Sequence, residues 1–232
     1  MPAEVEPQIG TLAQWVGVGA TLLAVLAALF KEELIRIWRR PQLNLLLALY
    51  PPHSHKTQMH QKNGATVTAS ADCYFVRAWV ENTGKARAAE VQVFISELSE
   101  RGSDGLFHEI DGFLPMNLTW AHSGEVFAAG ISPHMGKHCD FGYVLDPKFR
   151  KRFGVDKEGA SDDAAIFALS VEFPAATKGH LVLRGTYRIK FLVAGSNTDR
   201  PVEREYEMTI SGNWYDKSAR MFSDGISILP LN

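Results

Sequence analysis

The stretch from Thr11 to Phe30 is the feature that most constrains this chain. Its twenty residues, TLAQWVGVGATLLAVLAALF, contain no charged side chain. A helix of that length rises about 30 Å, enough to cross the hydrocarbon core of a bilayer. No later segment is as long and as apolar. The sequence therefore predicts one N-terminal transmembrane helix followed by one large polar domain.

The charges on either side of this stretch predict its orientation. Residues 1–10 form a short N-terminal tail that has two Glu residues and no Lys or Arg. The basic residues come after the stretch, at Lys31, Arg36, Arg39 and Arg40. Because basic flanks are retained on the cytoplasmic side, we expect a single-pass protein of the cell inner membrane with its domain in the cytoplasm. The reverse orientation would place the domain outside the cell.

Interfacial and small residues add two expectations about the predicted helix. Trp15 lies near one end, where an aromatic ring anchors a helix at the membrane interface. Small side chains recur every three or four residues on one face, at Ala13, Gly17, Ala20, Ala24 and Ala28. Such a face lets two backbones approach closely. The predicted partners are therefore the lipid bilayer and a second copy of the helix, unless these residues reflect only the usual composition of such segments.

Composition excludes some classes of protein. The chain has 232 residues, a net charge of -2 and two cysteines, Cys73 and Cys139. Two cysteines are too few for a disulfide-rich scaffold, and we expect reduced thiols in the cytoplasm. A nearly neutral chain has no overall attraction to polyanions, so no nucleic-acid partner is expected.

After Pro41 the pattern changes to short strands separated by turns. Residues 66–82 alternate, with Tyr74, Val76, Ala78 and Val80 on one face and Phe75, Arg77, Trp79 and Glu81 on the other. Further strands are predicted over residues 42–50, 91–95, 106–120, 125–131, 137–145, 165–173, 181–194 and 202–211. The polar residues 53–64 are predicted as a loop, and residues 146–163 as a loop or a short surface helix. Strands without long amphipathic helices indicate an antiparallel β-sandwich.

These patterns predict the domain organisation. Residues 11–40 would form the transmembrane helix with a basic juxtamembrane turn, and residues 41–212 the β-sandwich. Residues 213–232 would be a C-terminal tail that packs on the sandwich. The predicted fold class is mainly β, with one helix before it.

Two motifs resemble immunoglobulin-like bacterial modules. Val80-x-Asn82-x-Gly84-x-x-x-Ala88-x-x-Val91-x-Val93 resembles the strand–turn–strand signature of the cell-adhesion-related bacterial domain. Gly185-Thr-Tyr187-Arg-Ile189-Lys-Phe191 is similar to a late strand of such sandwiches, where a Tyr enters the core. The resemblance implies an immunoglobulin-like fold that binds other molecules, and it implies no catalytic site.

One short segment has the donor atoms of a metal site. His134, His138 and Cys139 supply imidazole and thiol groups that zinc and copper favour. A fourth ligand could come from His53, His55 or His60. The alternative is that Cys139 starts a strand and packs there as a small apolar residue, and paired CxxC ligands are missing from the sequence. We therefore predict no metal and no other cofactor.

A basic cluster follows the strand over residues 137–145. It consists of Lys148, Arg150, Lys151 and Arg152, interleaved with Phe149 and Phe153. Such a cluster can contact anionic lipid headgroups or a partner protein. The alternative is a solvated loop whose charge is balanced by the acidic residues that follow it.

The sequence contains no G-x-S-x-G elbow, HExxH helix or phosphate-binding loop. We therefore predict that the chain is not an enzyme. The function predicted from the sequence is a membrane-tethered, noncatalytic module whose β-sandwich binds a protein partner at the inner membrane surface. Two alternatives stay open: an extracytoplasmic adhesion or ligand-binding domain, and a metal-binding sensor or enzyme.

Overall fold

The computed structural model describes residues 11–32 and 39–231, apart from the side chain of Ala13. The chain divides into two compact units, Met1–Arg40 and Pro41–Asn232. The predicted tail over residues 1–10 and the basic residue Arg36 lie outside the described residues.

The first unit contains the helix α1, Leu12–Leu29. It begins after Thr11, whose backbone N–H donates to the side-chain oxygen of Gln14 at 2.8 Å. It ends at Phe30, whose N–H donates to the carbonyl of Leu26. Large apolar side chains along α1 are exposed: Leu12, Trp15, Val16, Val18, Leu22, Leu23, Val25, Leu26 and Leu29.

The predicted transmembrane helix over residues 11–40 requires a correction. Within residues 11–32 and 39–231, no helix combines the length and the apolarity that crossing a membrane requires. The helix α1 has 18 residues and rises about 27 Å, whereas a hydrocarbon core is about 30 Å thick.

The second unit is built almost entirely from strands. In chain order these are β1 Leu43–Leu47, β2 Ser54–Asn63, β3 Thr66–Asn82, β4 Ala88–Arg101, β5 Phe107–Glu109, β6 Met116–Asn117, β7 Thr119–Trp120, β8 Ala128–Ile131, β9 Met135–Leu145, β10 Phe167–Leu169, β11 Leu181–Val182, β12 Gly185–Ala194, β13 Val202–Ile210 and β14 Ile226–Leu231. Two short helices interrupt them, α2 Pro147–Arg150 and α3 Ser218–Arg220, and a single π-helical turn, Met221–Gly225, follows α3.

The strands form two antiparallel sheets. Sheet 1 has the order β1-β3-β9-β10-β11, with β2 also paired to β3 and β7 to β9. Sheet 2 has the order β14-β13-β12-β4-β5, with β6 and β8 also paired to β4. The prediction of a mainly β protein with two antiparallel sheets is confirmed.

The core lies between the two sheets. Val76 and Val80 of β3 and Val91 and Val93 of β4 belong to one cluster of fully buried side chains. The rings of Phe141 on β9 and Phe191 on β12 meet across this layer, with centroids 5.2 Å apart. These apolar residues alternate with polar ones, so each strand turns one set of side chains inward.

The prediction of a loop over residues 53–64 is wrong. Ser54–Asn63 is the strand β2, which pairs with β3 over its whole length. An edge strand is held by backbone hydrogen bonds on one side and needs no apolar alternation. Because most side chains of β2 are polar, its sequence lacks the apolar and polar alternation that predicts a strand.

The last residues are part of the sandwich. The sequence predicts residues 213–232 as a C-terminal tail that packs on the sandwich. Within this stretch β14 pairs with β13 in sheet 2, and Met221 and Ile226 are buried in the core between the sheets. The hydroxyl of Tyr74 on β3 donates to the carbonyls of Tyr215 and Asp216 and so ties this segment to sheet 1.

Candidate functional site

The outer face of sheet 1 carries side chains that the core does not use. On β3 the residues between the buried positions are Phe75, Arg77 and Trp79, and each is half-buried. Their partners on β9 follow the ladder, with Trp79 opposite His138 and Arg77 opposite Asp140. The strand alternation thus brings aromatic, imidazole and charged groups together on one face.

Four rings form a continuous cluster on this face, which we call the His–Trp cluster: Tyr50, His53, Trp79 and His138. The centroids of Trp79 and His138 are 4.8 Å apart, and those of His53 and His138 are 5.2 Å apart. Tyr50 meets His53 edge to face at 5.6 Å. Tyr50 and His53 come from the turn before β2, so the β1–β2 connection folds over the sheet to complete the cluster.

A glycine on β9 makes room for the indole ring of Trp79. A Cβ atom on Gly136 would lie 2.4 Å from that ring and 2.9 Å from the carbonyl oxygen of Val80. Side-chain atoms do not approach so closely. The ring therefore lies directly over the backbone of β9, which fixes its orientation on the face.

Two imidazole nitrogens face each other inside the cluster. Nδ1 of His53 lies 3.1 Å from Nε2 of His138, so one donates a hydrogen bond to the other. Burial lowers the pKa of His138, and the neighbouring His53, Arg77 and His122 lower it further, while Asp140 acts in the opposite direction. Protonation of His138 is therefore less favourable here than in an exposed histidine.

An ion pair lies beside the cluster. Nε of Arg77 donates to the carboxylate of Asp140 at 2.8 Å, and both side chains are 17% exposed. The Arg77 guanidinium also lies over the ring of Phe75. His55 of β2 is on the same face, and its pKa is lowered by burial and then by Arg77, with Asp140 opposing.

The cluster borders an open cleft of about 600 Å³. Trp79 and His138 form one side of this cleft, and the connection between β7 and β8 forms the other. The side chains contributed by that connection include His122, Glu125 and the exposed Phe127. The cleft has the size of a small-ligand or side-chain pocket, with aromatic walls and a few polar groups.

The candidate metal ligands are not brought together. His138 faces outward on β9, and Cys139, the next residue, faces into the core between the sheets and donates its S–H to the carbonyl of Thr119. His134 is exposed in the turn before β9. Of the suggested fourth ligands, only His53 meets His138. Within the described part of the chain, no group of three or more His, Cys, Asp or Glu side chains has the geometry to hold a metal ion.

Both cysteines are free thiols in the interior. Burial raises the pKa of Cys73 to about 12 and raises the pKa of Cys139 well above its ordinary value. Because the thiolate is the reactive form of cysteine, neither group is activated as a nucleophile.

The basic cluster around α2 is divided between the surface and the interior. Lys148, Lys151 and Arg152 are exposed, whereas Arg150 is only 1% exposed. Arg150 donates to the carbonyl of Ser161 and pairs with Asp156, so its role is to hold the loop after α2. Lys151 is paired with Asp162. Both cations are thus paired with acidic residues of the loop that follows, and the buried Arg150 does not face solvent.

Pattern analysis placed Trp79 and Arg77 on the polar face of β3 but did not identify them as a site. The sequence contained one signal for this site, because a Trp among the polar positions of a strand points away from the core. The sequence suggests His53 only as one of three possible fourth metal ligands, because its segment was predicted to be a loop far from β9 in sequence.

Comparison with known proteins adds no relative. No protein-family model matches the chain, and neither the curated proteins nor the solved structures contain a match.

Proposed function

We propose that this chain is a noncatalytic interaction module that is held at a membrane and binds a protein partner through the outer face of sheet 1. The observation that carries the proposal is the His–Trp cluster. Its four contacting rings lie on the outer face of sheet 1, away from the core between the sheets. Half-buried aromatic side chains of this kind are the usual anchors of protein interfaces.

The surroundings of the cluster also suit a protein interface. Leu46 on β1, directly opposite Trp79, is 42% exposed, and Tyr50 is 58% exposed. They flank the half-buried rings with apolar surface, while the Arg77–Asp140 pair gives the patch a polar border. A central aromatic group with a polar rim is the arrangement found in protein–protein contacts.

Membrane attachment is supported by α1. Its large exposed apolar side chains lie on one half of the helix and mostly Ala and Gly on the other, and a helix with so little polar surface is stable only when it is buried. A protein partner would cover one side, whereas hydrocarbon covers all of them. The Thr21 hydroxyl is satisfied within the helix, since it donates to the carbonyl of Gly17. The proposal requires α1 to enter the bilayer and does not depend on a complete crossing.

The side of attachment follows from the basic residues after α1. Lys31, Arg39 and Arg40 are exposed and suit the anionic cytoplasmic leaflet of the inner membrane, which attracts basic residues beside an apolar helix whether or not the helix crosses. Self-association through Gly17, Ala20, Ala24 and Ala28 is compatible with this attachment, because these residues leave one face of α1 without bulky side chains.

The immunoglobulin-like fold is part of the same proposal. We infer an immunoglobulin-like sandwich from the resemblance of the residue 80–93 segment, and the passage of the chain from β3 in sheet 1 to β4 in sheet 2 supports it. The noncatalytic role is supported by the two cysteine thiols, which are buried and not activated.

Photo-crosslinking tests the partner site. A benzoylphenylalanine at position 79 should form a crosslink to one discrete protein in intact cells, and the same group at Leu229, exposed on β14 of sheet 2, should not. Binding of that protein to the purified chain should then fall at least tenfold in Trp79→Ala. Equal crosslinking from the two positions, or none from position 79, would contradict the proposal.

Vesicle flotation tests the attachment. The full chain should float with neutral phosphatidylcholine vesicles, and a variant with Leu22→Lys and Leu26→Lys should remain at the bottom, because charged groups in hydrocarbon cost about 2.5–3.5 kcal/mol each. Leu229→Lys is the matched control on the sandwich and should float. Flotation of the double variant would show that α1 is not the attachment site.

A further inference from the structure

We propose that the facing nitrogens of His53 and His138 form a proton-linked binding site for a carboxylate group, supplied by an acidic side chain of the protein partner. This inference rests on the proposed function, because it names the chemistry of the group that the outer face of sheet 1 recognises.

The geometry of the pair is the first basis. Nδ1 of His53 and Nε2 of His138 point at each other across 3.1 Å, and only one of them carries a hydrogen in this closed arrangement. Addition of one proton gives both facing nitrogens an N–H group. The two donors then repel each other and the rings must separate, and a carboxylate that enters between them accepts a hydrogen bond from each.

The charges around the pair favour an anion. The groups that face His138 are His53 from the β1–β2 turn, Arg77 from β3, Asp140 from β9 and His122 from the β7–β8 connection. His55 from β2 lies on the same face. Asp140 is already paired with Arg77, and Glu125 and Lys137, which carry opposite charges, line the cleft beside His138. Protonation of the pair therefore leaves an uncompensated positive charge in a half-buried setting, where a carboxylate gives charge-assisted hydrogen bonds.

The aromatic neighbours favour a carboxylate on a protein over a small free one. Trp79 and Tyr50 flank the two imidazoles, and their exposed surfaces can contact the aliphatic part of a Glu residue and its neighbours. A small carboxylate ion gains the two hydrogen bonds but little of this apolar contact.

Proton linkage sets the pH dependence. The free pair holds one proton fewer than the bound pair, so binding takes up one proton. Above the pKa of the free pair, affinity should therefore rise about tenfold for each unit by which the pH falls. The acidic side chain stays ionised through this range, because an ordinary Glu has a pKa of about 4.3.

The test is histidine NMR on the full chain in mild detergent between pH 8 and pH 6. The probe is an acetylated and amidated Leu-Glu-Leu peptide, compared with Leu-Gln-Leu and with acetate. We expect the Glu peptide to shift the imidazole signals of His53 and His138 with an affinity that rises about tenfold per pH unit. The Gln peptide should not bind measurably, and acetate should bind at least tenfold more weakly.

Variants give the second readout. His53→Asn and His138→Asn should each remove the pH dependence, whereas His108→Asn, an exposed residue paired with Asp104 on sheet 2, should retain it. Equal binding of the Glu and Gln peptides, no shift at either histidine, or equal affinity for acetate would overturn the inference. Crosslinking from position 79 is independent of these outcomes, so failure of the carboxylate site is distinguishable from failure of the protein-binding role.

Discussion

Trp79 on β3 and His138 on β9 are directly opposed in the antiparallel ladder of sheet 1, and their ring centroids lie 4.8 Å apart. This pair links the backbone register to the candidate site. A shift of β3 by one residue would turn Trp79 toward the core while His138 stayed on the outer face, which would separate the two rings. The site therefore depends on the same register that buries Val76, Ala78 and Val80.

Substitution of Gly136 should displace the indole ring. In Gly136→Ala the added methyl group would lie 2.4 Å from the ring of Trp79 and 2.9 Å from the carbonyl oxygen of Val80, so the ring or the strand must move. We expect a loss of about 1–3 kcal/mol in the free energy of unfolding, as for overpacked sites, measured by urea denaturation. Gly19→Ala is the control, because nothing lies within 4 Å of the added methyl group. A loss in Gly136→Ala no larger than in the control would show that Trp79 is not held over β9.

Stability should depend on pH through His138. Its folded-state pKa is lowered, mainly by burial, so the unfolded chain binds the proton first as the pH falls. The free energy of unfolding should therefore be greatest above the unfolded pKa of about 6.5 and should decrease as the pH falls from 7.5 to 5.5. His55 and His180 have lowered pKa values and act in the same direction. Urea denaturation across this range should show a smaller decrease for His138→Asn than for the wild-type chain. An identical decrease in the two proteins would contradict the role given to His138.

The Arg77–Asp140 pair should contribute more to stability than an exposed pair. Removal of one partner leaves the other charge in a setting that is only 17% exposed. We expect Asp140→Asn to lower the free energy of unfolding by about 1–3 kcal/mol. The matched control is Arg101–Glu207 on sheet 2, with side chains 41% and 23% exposed, where Glu207→Gln should cost less than about 1 kcal/mol. Double-mutant cycles on both pairs measure the coupling, and equal coupling energies would contradict this ranking.

Arg150 and Lys151 are neighbours in sequence but should respond differently to substitution. Arg150→Met removes a buried guanidinium that donates to the carbonyl of Ser161 at 2.6 Å, and we expect a loss of about 1.5–3 kcal/mol in the free energy of unfolding. Lys151→Met removes an exposed partner of Asp162, and we expect a loss below about 1 kcal/mol. Both are measured by thermal or urea unfolding of the full chain. Similar losses would show that burial of Arg150 is not what holds the loop after α2.

The sequence was informative where the alternation of a strand was enough to decide the direction of the side chains. The alternation through residues 74–80 predicted which side chains of β3 share a face, because successive side chains of a strand point to opposite sides. It failed for β2, where edge pairing depends on backbone hydrogen bonds that leave little trace in the side chains. It also failed for Arg150, since a basic residue beside Lys151 and Arg152 gives no sign of being buried until its partners Ser161 and Asp156 are known.

The candidate site was only partly accessible to such analysis. The donor atoms of His134, His138 and Cys139 suggest a metal site, yet His138 and Cys139 are adjacent residues of a strand and point to opposite faces. The actual neighbour of His138 is His53, which is 85 residues away along the chain.

The amino-acid sequence by itself determined the local properties of this protein: an uncharged apolar segment near the start, strands over most of the remainder, and the inward or outward direction of side chains on β3. These follow from side-chain hydrophobicity and from the period of a strand. Only the tertiary structure decided that β2 and β9 both pair with β3, that the β1–β2 turn folds over sheet 1, and that two histidines meet beside a tryptophan. Those contacts join residues far apart in the chain, and they depend on strand order and register, which no short segment encodes on its own.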